Sequence, residues 1–153
     1  MELLNTLQSD FPNFTFKLGK RFQWSPHTQT IWFTNDLHSE ALWSLLHEVG
    51  HAILRHEDYR RDIELISLEV AAWEKAKDLA AKYGLTIDQN HIEDCLDGYR
   101  SWLHQRSTCP ECHTVTTQAS RIEYQCFNCG TRWKVSLSPL CRVHRRKQKH
   151  LSK

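Results

Sequence analysis

The 153-residue chain has no apolar run of membrane-spanning length, so a transmembrane helix is not expected. It opens MELLNTLQSDFPNF, with neither a basic stretch nor an apolar core. A secretory signal is therefore not expected, and a cytoplasmic protein is. No internal repeat and no low-complexity segment precedes the basic C-terminal end. Charged residues make up 25% of the chain and apolar ones 40%, the balance of a globular protein rather than a disordered one.

The charge is unevenly spread. Residues 1–99 carry 9 Lys/Arg against 16 Asp/Glu, whereas residues 100–153 carry 11 against 2. An acidic N-terminal part and a basic C-terminal part suggest two functions, the second favouring anionic partners. Of six cysteines, four lie in two CxxC pairs, which in a cytosolic chain read as metal ligands rather than disulfides.

Hydrophobic spacing predicts a short helix over Glu2–Gln8 and strands at Phe14–Leu18, Arg21–Trp24 and Thr30–Phe33. Ser39 is placed to cap a helix over Glu40–Arg55, in which Leu42, Leu45, Leu46, Val49 and Ile53 recur at helical spacing. Further helices are predicted over Arg61–Tyr83, stopped by Gly84, and over Asn90–His104. The expected fold class is α+β. A domain over residues 1–106 has short N-terminal strands, a helix bearing HEVGH, a glutamate-bearing helix and one more helix. A ribbon over 107–138 and a basic tail over 139–153 follow.

His47 and His51 stand four apart on a predicted helix, so their imidazoles project to one side and can grip one zinc ion. Glu48 then faces a water at the metal, not the metal itself, and can act as general base. A catalytic zinc needs a third protein ligand. Glu69, on the next helix and 18 residues after His51, is the first choice. His56, Glu57, Asp58 and Glu64 are the alternatives, and small Ala71 and Ala72 would let the two helices approach. A metzincin would need glycine and histidine where Leu54 and Glu57 stand.

The stretch Leu46-His-Glu-Val-Gly-His-Ala52 with Glu69-Val-Ala-Ala-Trp73 resembles the ImmA/IrrE-like metallopeptidases, gluzincins with HExxH on one helix and a glutamate ligand on the next. The resemblance implies a zincin-like fold and a soluble zinc endopeptidase. It also implies a protein substrate, which in some relatives is a DNA-binding regulator. Trp73 stands where the wider group often has an aspartate that orients a ligand histidine. SprT-like proteases also join HExxH to a C-terminal zinc ribbon. Their usual third ligand, in a later His-Gly segment, has no counterpart here.

Cys109-Pro-Glu-Cys112 and Cys126-Phe-Asn-Cys129, 13 residues apart, predict a closed, structural zinc site. Cys141 and His144 have CxxH spacing but no partner pair, and Cys95 reads as a small buried hydrophobe. Arg142, Arg145, Arg146, Lys147 and Lys149, with Arg121, Arg132 and Lys134, could contact nucleic acid, with Trp133 as a stacking platform. A solvated tail or an acidic protein partner would explain the same charges. His56, Tyr59 and Tyr99 are candidate oxyanion donors. Against the enzyme stands a binding module: a degenerate zincin domain fused to a nucleic-acid-binding ribbon.

Overall fold

A computed structural model describes residues 2–137 and 143–148. Among the described residues the protein is mixed α+β, with four helices and two small sheets. In order they are α1 (Glu2–Asp10), β1 (Thr15–Leu18), β2 (Gln23–Ser25), a 3-10 turn (Pro26–Thr28), β3 (Thr30–Phe33), α2 (Ser39–Ile53), α3 (Asp62–Lys82), α4 (Gln89–Ser107), β4 (Gln118–Ser120), β5 (Glu123–Gln125), β6 (Arg132–Val135) and β7 (Arg145–Lys147). No described helix is long and apolar enough to cross a membrane. The chain forms two compact units, Met1–Asp58 with Ser67–Ile92, and Tyr59–Ile66 with Glu93–Lys153.

In the first unit the sheet order is β1-β3-β2. β1 runs parallel to β3 and β2 antiparallel to it, so β1 and β2, though consecutive, do not pair as a hairpin. Ile31, on the central strand, is fully buried, as are Leu45, Leu46, Val49 and Ala52 along α2. That apolar stripe at helical spacing makes α2 a core helix. Its N-cap residue is His38, and Ser39 is already helical. α3 ends as expected: Gly84 takes a left-handed φ of 71°, and the Leu85 N–H reaches back to the Ala80 carbonyl.

The second unit is built around the cysteines. Its core holds Tyr124, Trp133 and Val135 beside Cys109 and Cys126. Along β6 burial alternates strictly, as a half-buried strand requires, and this turns Trp133 inward. Trp133 stacks on Tyr124 at 5.5 Å, and its indole N–H donates to the Arg106 carbonyl. It is fully buried and offers no stacking surface, which corrects the expectation drawn from its basic neighbours. The expected tail needs correcting too. Arg145–Lys147 pairs with β6 as a fourth strand, because β6 would otherwise be a bare edge with unmet backbone donors and acceptors. Cys141, Arg142 and Lys149 lie outside the described residues.

Tyr59–Ile66 and the chain from Glu93 belong to this unit together with the cysteines, and one buried ion pair lies within it. Arg106 grips Asp62 through two nitrogens, at 2.6 and 3.2 Å, and both side chains are about 1% exposed. The Tyr124 hydroxyl also donates to Asp62, at 2.6 Å, and Arg106 donates to the Ser136 carbonyl. Burial and the adjacent Asp62 carboxylate push the Tyr124 phenol well above its ordinary range, so it stays protonated and can donate to Asp62. Glu64, an alternative ligand on sequence grounds, instead accepts the Arg60 and Arg61 amides as part of the α3 cap.

Asp62→Ala leaves the Arg106 guanidinium buried without its counter-charge. A loss of about 3–5 kcal/mol in urea unfolding is expected. A variant within about 1 kcal/mol of wild type would show that the pair does not hold the unit together.

Candidate metal centres

Both candidate metal groups are present, one in each unit. In the first, α2 presents His47 and His51 one turn apart and α3 brings Glu69 against them. His47 Nε2 lies 3.0 Å from His51 Nε2 and 3.1 Å from Glu69 Oε2, and His51 Nε2 lies 3.6 Å from Glu69 Oε1. The three side chains converge on one point and are largely buried. Burial alone would raise the Glu69 carboxyl. Hydrogen bonds from His47 and His51 outweigh it and hold the group at about 2, so Glu69 is a carboxylate at any ordinary pH.

The close approach of α3 rests on a glycine. A Cβ on Gly50 would sit 2.6 Å from the Ala72 carbonyl oxygen. Gly50 lies on the same helical side as His47 and His51, so the contact that requires glycine also sets the depth of Glu69.

Glu48 is not in the ligand group. Its Oε2 accepts the Trp24 backbone N–H from β2 at 2.6 Å. Burial pushes its carboxyl above the ordinary range, against the pull of His47 and His51.

The two histidines are oriented differently. His51 Nδ1 lies 2.9 Å from His56 Nδ1. His56 comes back over His51 because α2 closes in a Schellman motif: the His56 N–H bonds the His51 carbonyl, the Arg55 N–H bonds the Ala52 carbonyl, and Arg55 takes a left-handed φ of 54°. The Trp24 indole N–H fixes the same loop through the His56 carbonyl. Burial lowers the proton affinity of His56, as does the charge of His51. His47 Nδ1 is buried without a hydrogen-bond partner, and the Trp73 ring lies against this imidazole at 4.2 Å. Trp73 thus supports His47 by packing where a carboxylate would do so by hydrogen bonding. His56, an alternative ligand on sequence grounds, touches His51 from behind. Glu57 and Asp58 fall outside the ligand group. The bond from Trp24 to Glu48 was not foreseen, since nothing in a strand's composition shows which backbone amide meets a helix.

In the second unit Cys109, Cys112, Cys126 and Cys129 form the other group. Sγ–Sγ distances are 3.6 Å for Cys109–Cys129 and 3.5 Å for Cys112–Cys126. The two knuckles repeat one backbone pattern. Cys109 and Cys126 accept from the amides of His113 and Gly130, and both of these residues have positive φ. Burial pushes the Cys109 thiol up to about 12, while hydrogen bonding with Thr114 brings Cys112 down to about 5. Cys95 is half-buried rather than buried.

Comparison with protein-family models, curated proteins and solved structures finds no match to this chain.

Gly50→Ala forces α3 away from α2. The gain in helix propensity is smaller than the overpacking cost, so a net loss of about 1–2 kcal/mol is expected in thermal or urea unfolding. Metal affinity at the histidine group should fall with it. Unchanged stability and affinity would remove Gly50 from the account.

Proposed function

We propose that this chain is a zinc-dependent endopeptidase of the gluzincin kind, with a structural zinc ribbon that helps recruit its protein substrate. The observation that carries the reading is the convergence of His47, His51 and Glu69 on one buried point, with Glu48 beside them but outside the ligand set.

Zinc fits both groups. Zinc–nitrogen and zinc–oxygen bonds of about 2.0–2.1 Å give tetrahedral ligand–ligand edges of about 3.3 Å. The histidine group has separations of 3.0, 3.1 and 3.6 Å. Zinc–sulfur bonds of about 2.3 Å give edges of about 3.8 Å. The cysteine group has 3.5 and 3.6 Å. His47, His51 and Glu69 would hold one ion and leave a fourth position open, as catalytic sites do. The four cysteines would close the other and make it structural.

A zinc ion in the histidine group supplies Lewis acidity, polarising a carbonyl and making a water easier to deprotonate. The chain's own residues do the rest. Glu48 takes the proton from the attacking water and returns it to the leaving amine. The Trp24 amide orients its carboxyl and keeps it clear of the ligands. His56 and Trp73 hold the two imidazoles in place.

The unpartnered His47 Nδ1 favours a second reading, a zincin that binds metal but has lost catalysis. In it the ribbon is the working part, binding nucleic acid or protein. An SprT-like, DNA-associated protease is a third. Among the basic residues, Arg132 and Lys134 lie on the exposed side of β6, where Arg132 donates to Gln125 and Lys134 pairs with Glu123. Arg145 and Lys147 are engaged with the Thr108 carbonyl and Glu111.

Glu48→Gln decides between enzyme and binding module. It is expected to bind two zinc ions per chain like wild type, and to lose at least about a hundredfold in cleavage of an unstructured peptide library followed by mass spectrometry. Equal cleavage by the two proteins would end the mechanism. Glu69→Ala should lose one of the two ions, and full retention of both would remove Glu69 from the ligand set.

A further inference from the structure

The four-stranded sheet of the second unit turns one face to solvent, and that face is cationic. Alternation along β6 sends Trp133 and Val135 inward and Arg132 and Lys134 outward. The register carries the same face onto the neighbouring strands, because residues directly opposite in an antiparallel pair share a side. Arg146 of β7 stands opposite Lys134, and Gln125 of β5 opposite Arg132. All four side chains are exposed. Strands β4 to β7 hold Arg132, Lys134, Arg145, Arg146 and Lys147 against Glu123 alone. Glu123 meets Lys134 at 3.4 Å, an exposed contact that holds the lysine weakly against a competing anion. Gln148 also donates to Glu123, so the carboxylate keeps a partner when the lysine turns away. Arg132 donates to Gln125, which is neutral and leaves the guanidinium charge uncompensated.

An aromatic ring sits at the turn that ends this face. The β5–β6 turn is the second cysteine knuckle, and buried Cys126 gives its sulfur to the cysteine group. Phe127 follows it and is 76% exposed, more than any other large apolar side chain among the described residues. The ring takes no part in the core of the unit, which Tyr124, Trp133 and Val135 make with the cysteines. Trp133, expected from the sequence to be a stacking platform, is buried, and Phe127 offers the exposed ring in its place.

We infer that this face and Phe127 form a binding surface for single-stranded nucleic acid, with phosphates along Arg132, Lys134 and Arg146 and a base stacked on the ring. The inference rests on the ribbon part of the reading above and not on peptide cleavage. Charge complementarity selects a polyanion, and the ring selects among polyanions. A single strand has bases whose faces are open to stack on an aromatic side chain. In a duplex those faces are already stacked on one another. An acidic peptide meets the cations but has no base to set on the ring. Every base has a π face, so no sequence preference is expected. Arg132 and Lys134 stand two residues apart on one strand, roughly 6.6 Å along it, so the cations follow a line rather than a point.

The test is fluorescence anisotropy of a labelled oligothymidine of about 20 nucleotides with the full-length zinc-loaded protein, over a range of salt concentrations. The single strand should bind at least about tenfold tighter than a duplex of the same length, and polyglutamate at equal charge should not displace it. Phe127→Ala should weaken binding about tenfold without changing its salt dependence, and Phe127→Trp should restore it. Replacing Lys134 and Arg146 together by glutamine should weaken binding and lower the slope of log Kd against log salt by about 1.4. Lys77→Gln, exposed on α3, should bind as wild type does. No binding at low salt, equal affinity for duplex, displacement by polyglutamate, or unchanged binding by Phe127→Ala overturns the inference and leaves the ribbon standing. A zinc count on the same protein separates the two: a chain that holds no zinc at its four cysteines overturns the ribbon and the inference together.

Discussion

The candidate catalytic site depends on how closely α3 approaches α2 at Gly50. Two histidines four residues apart on one helix are easily arranged, because the helical repeat does it. A carboxylate from a second helix is harder to place. Here the approach is limited by a backbone oxygen, that of Ala72, where a Cβ on residue 50 would stand. Backbone cannot rotate away as a flexible side chain can, so the glycine fixes the helix separation and the position of Glu69.

Around that contact the site gathers donor atoms that one cation could share. Two imidazole nitrogens 3.0 Å apart face one buried carboxylate. A divalent ion satisfies all three at once, and this is the physical content of calling the cluster a metal site. Support from outside is uneven. His51 has His56 behind it, delivered by the turn that ends α2, while His47 rests on the Trp73 ring. Metal binding is therefore supported on one side by polar contacts and on the other by packing.

Much of this was legible in the sequence, and the failures have physical causes. The spacing of HEVGH, the downstream glutamate and the CxxC pairs gave the grouping of seven residues, because helix and knuckle geometry convert spacing directly into proximity. Helix limits came within a few residues for the same reason. Trp133 was misread because basic neighbours suggested exposure, whereas the period-two alternation of β6 decides which way it points. The strand at Arg145–Lys147 was missed because its residues are all charged and exposed, and its pairing comes from the unmet backbone of β6. The Asp62–Arg106 pair joins positions 44 residues apart, and no local pattern announces it.

The central claim, that His47, His51 and Glu69 hold a zinc ion, is tested most directly by anomalous X-ray diffraction at the zinc edge from crystals of the full-length protein. The account expects two peaks per chain, one among the four cysteine sulfurs and one bounded by His47 Nε2, His51 Nε2 and the Glu69 carboxylate. A single peak at the cysteines, with His47 and Glu69 in direct hydrogen bond, would contradict it.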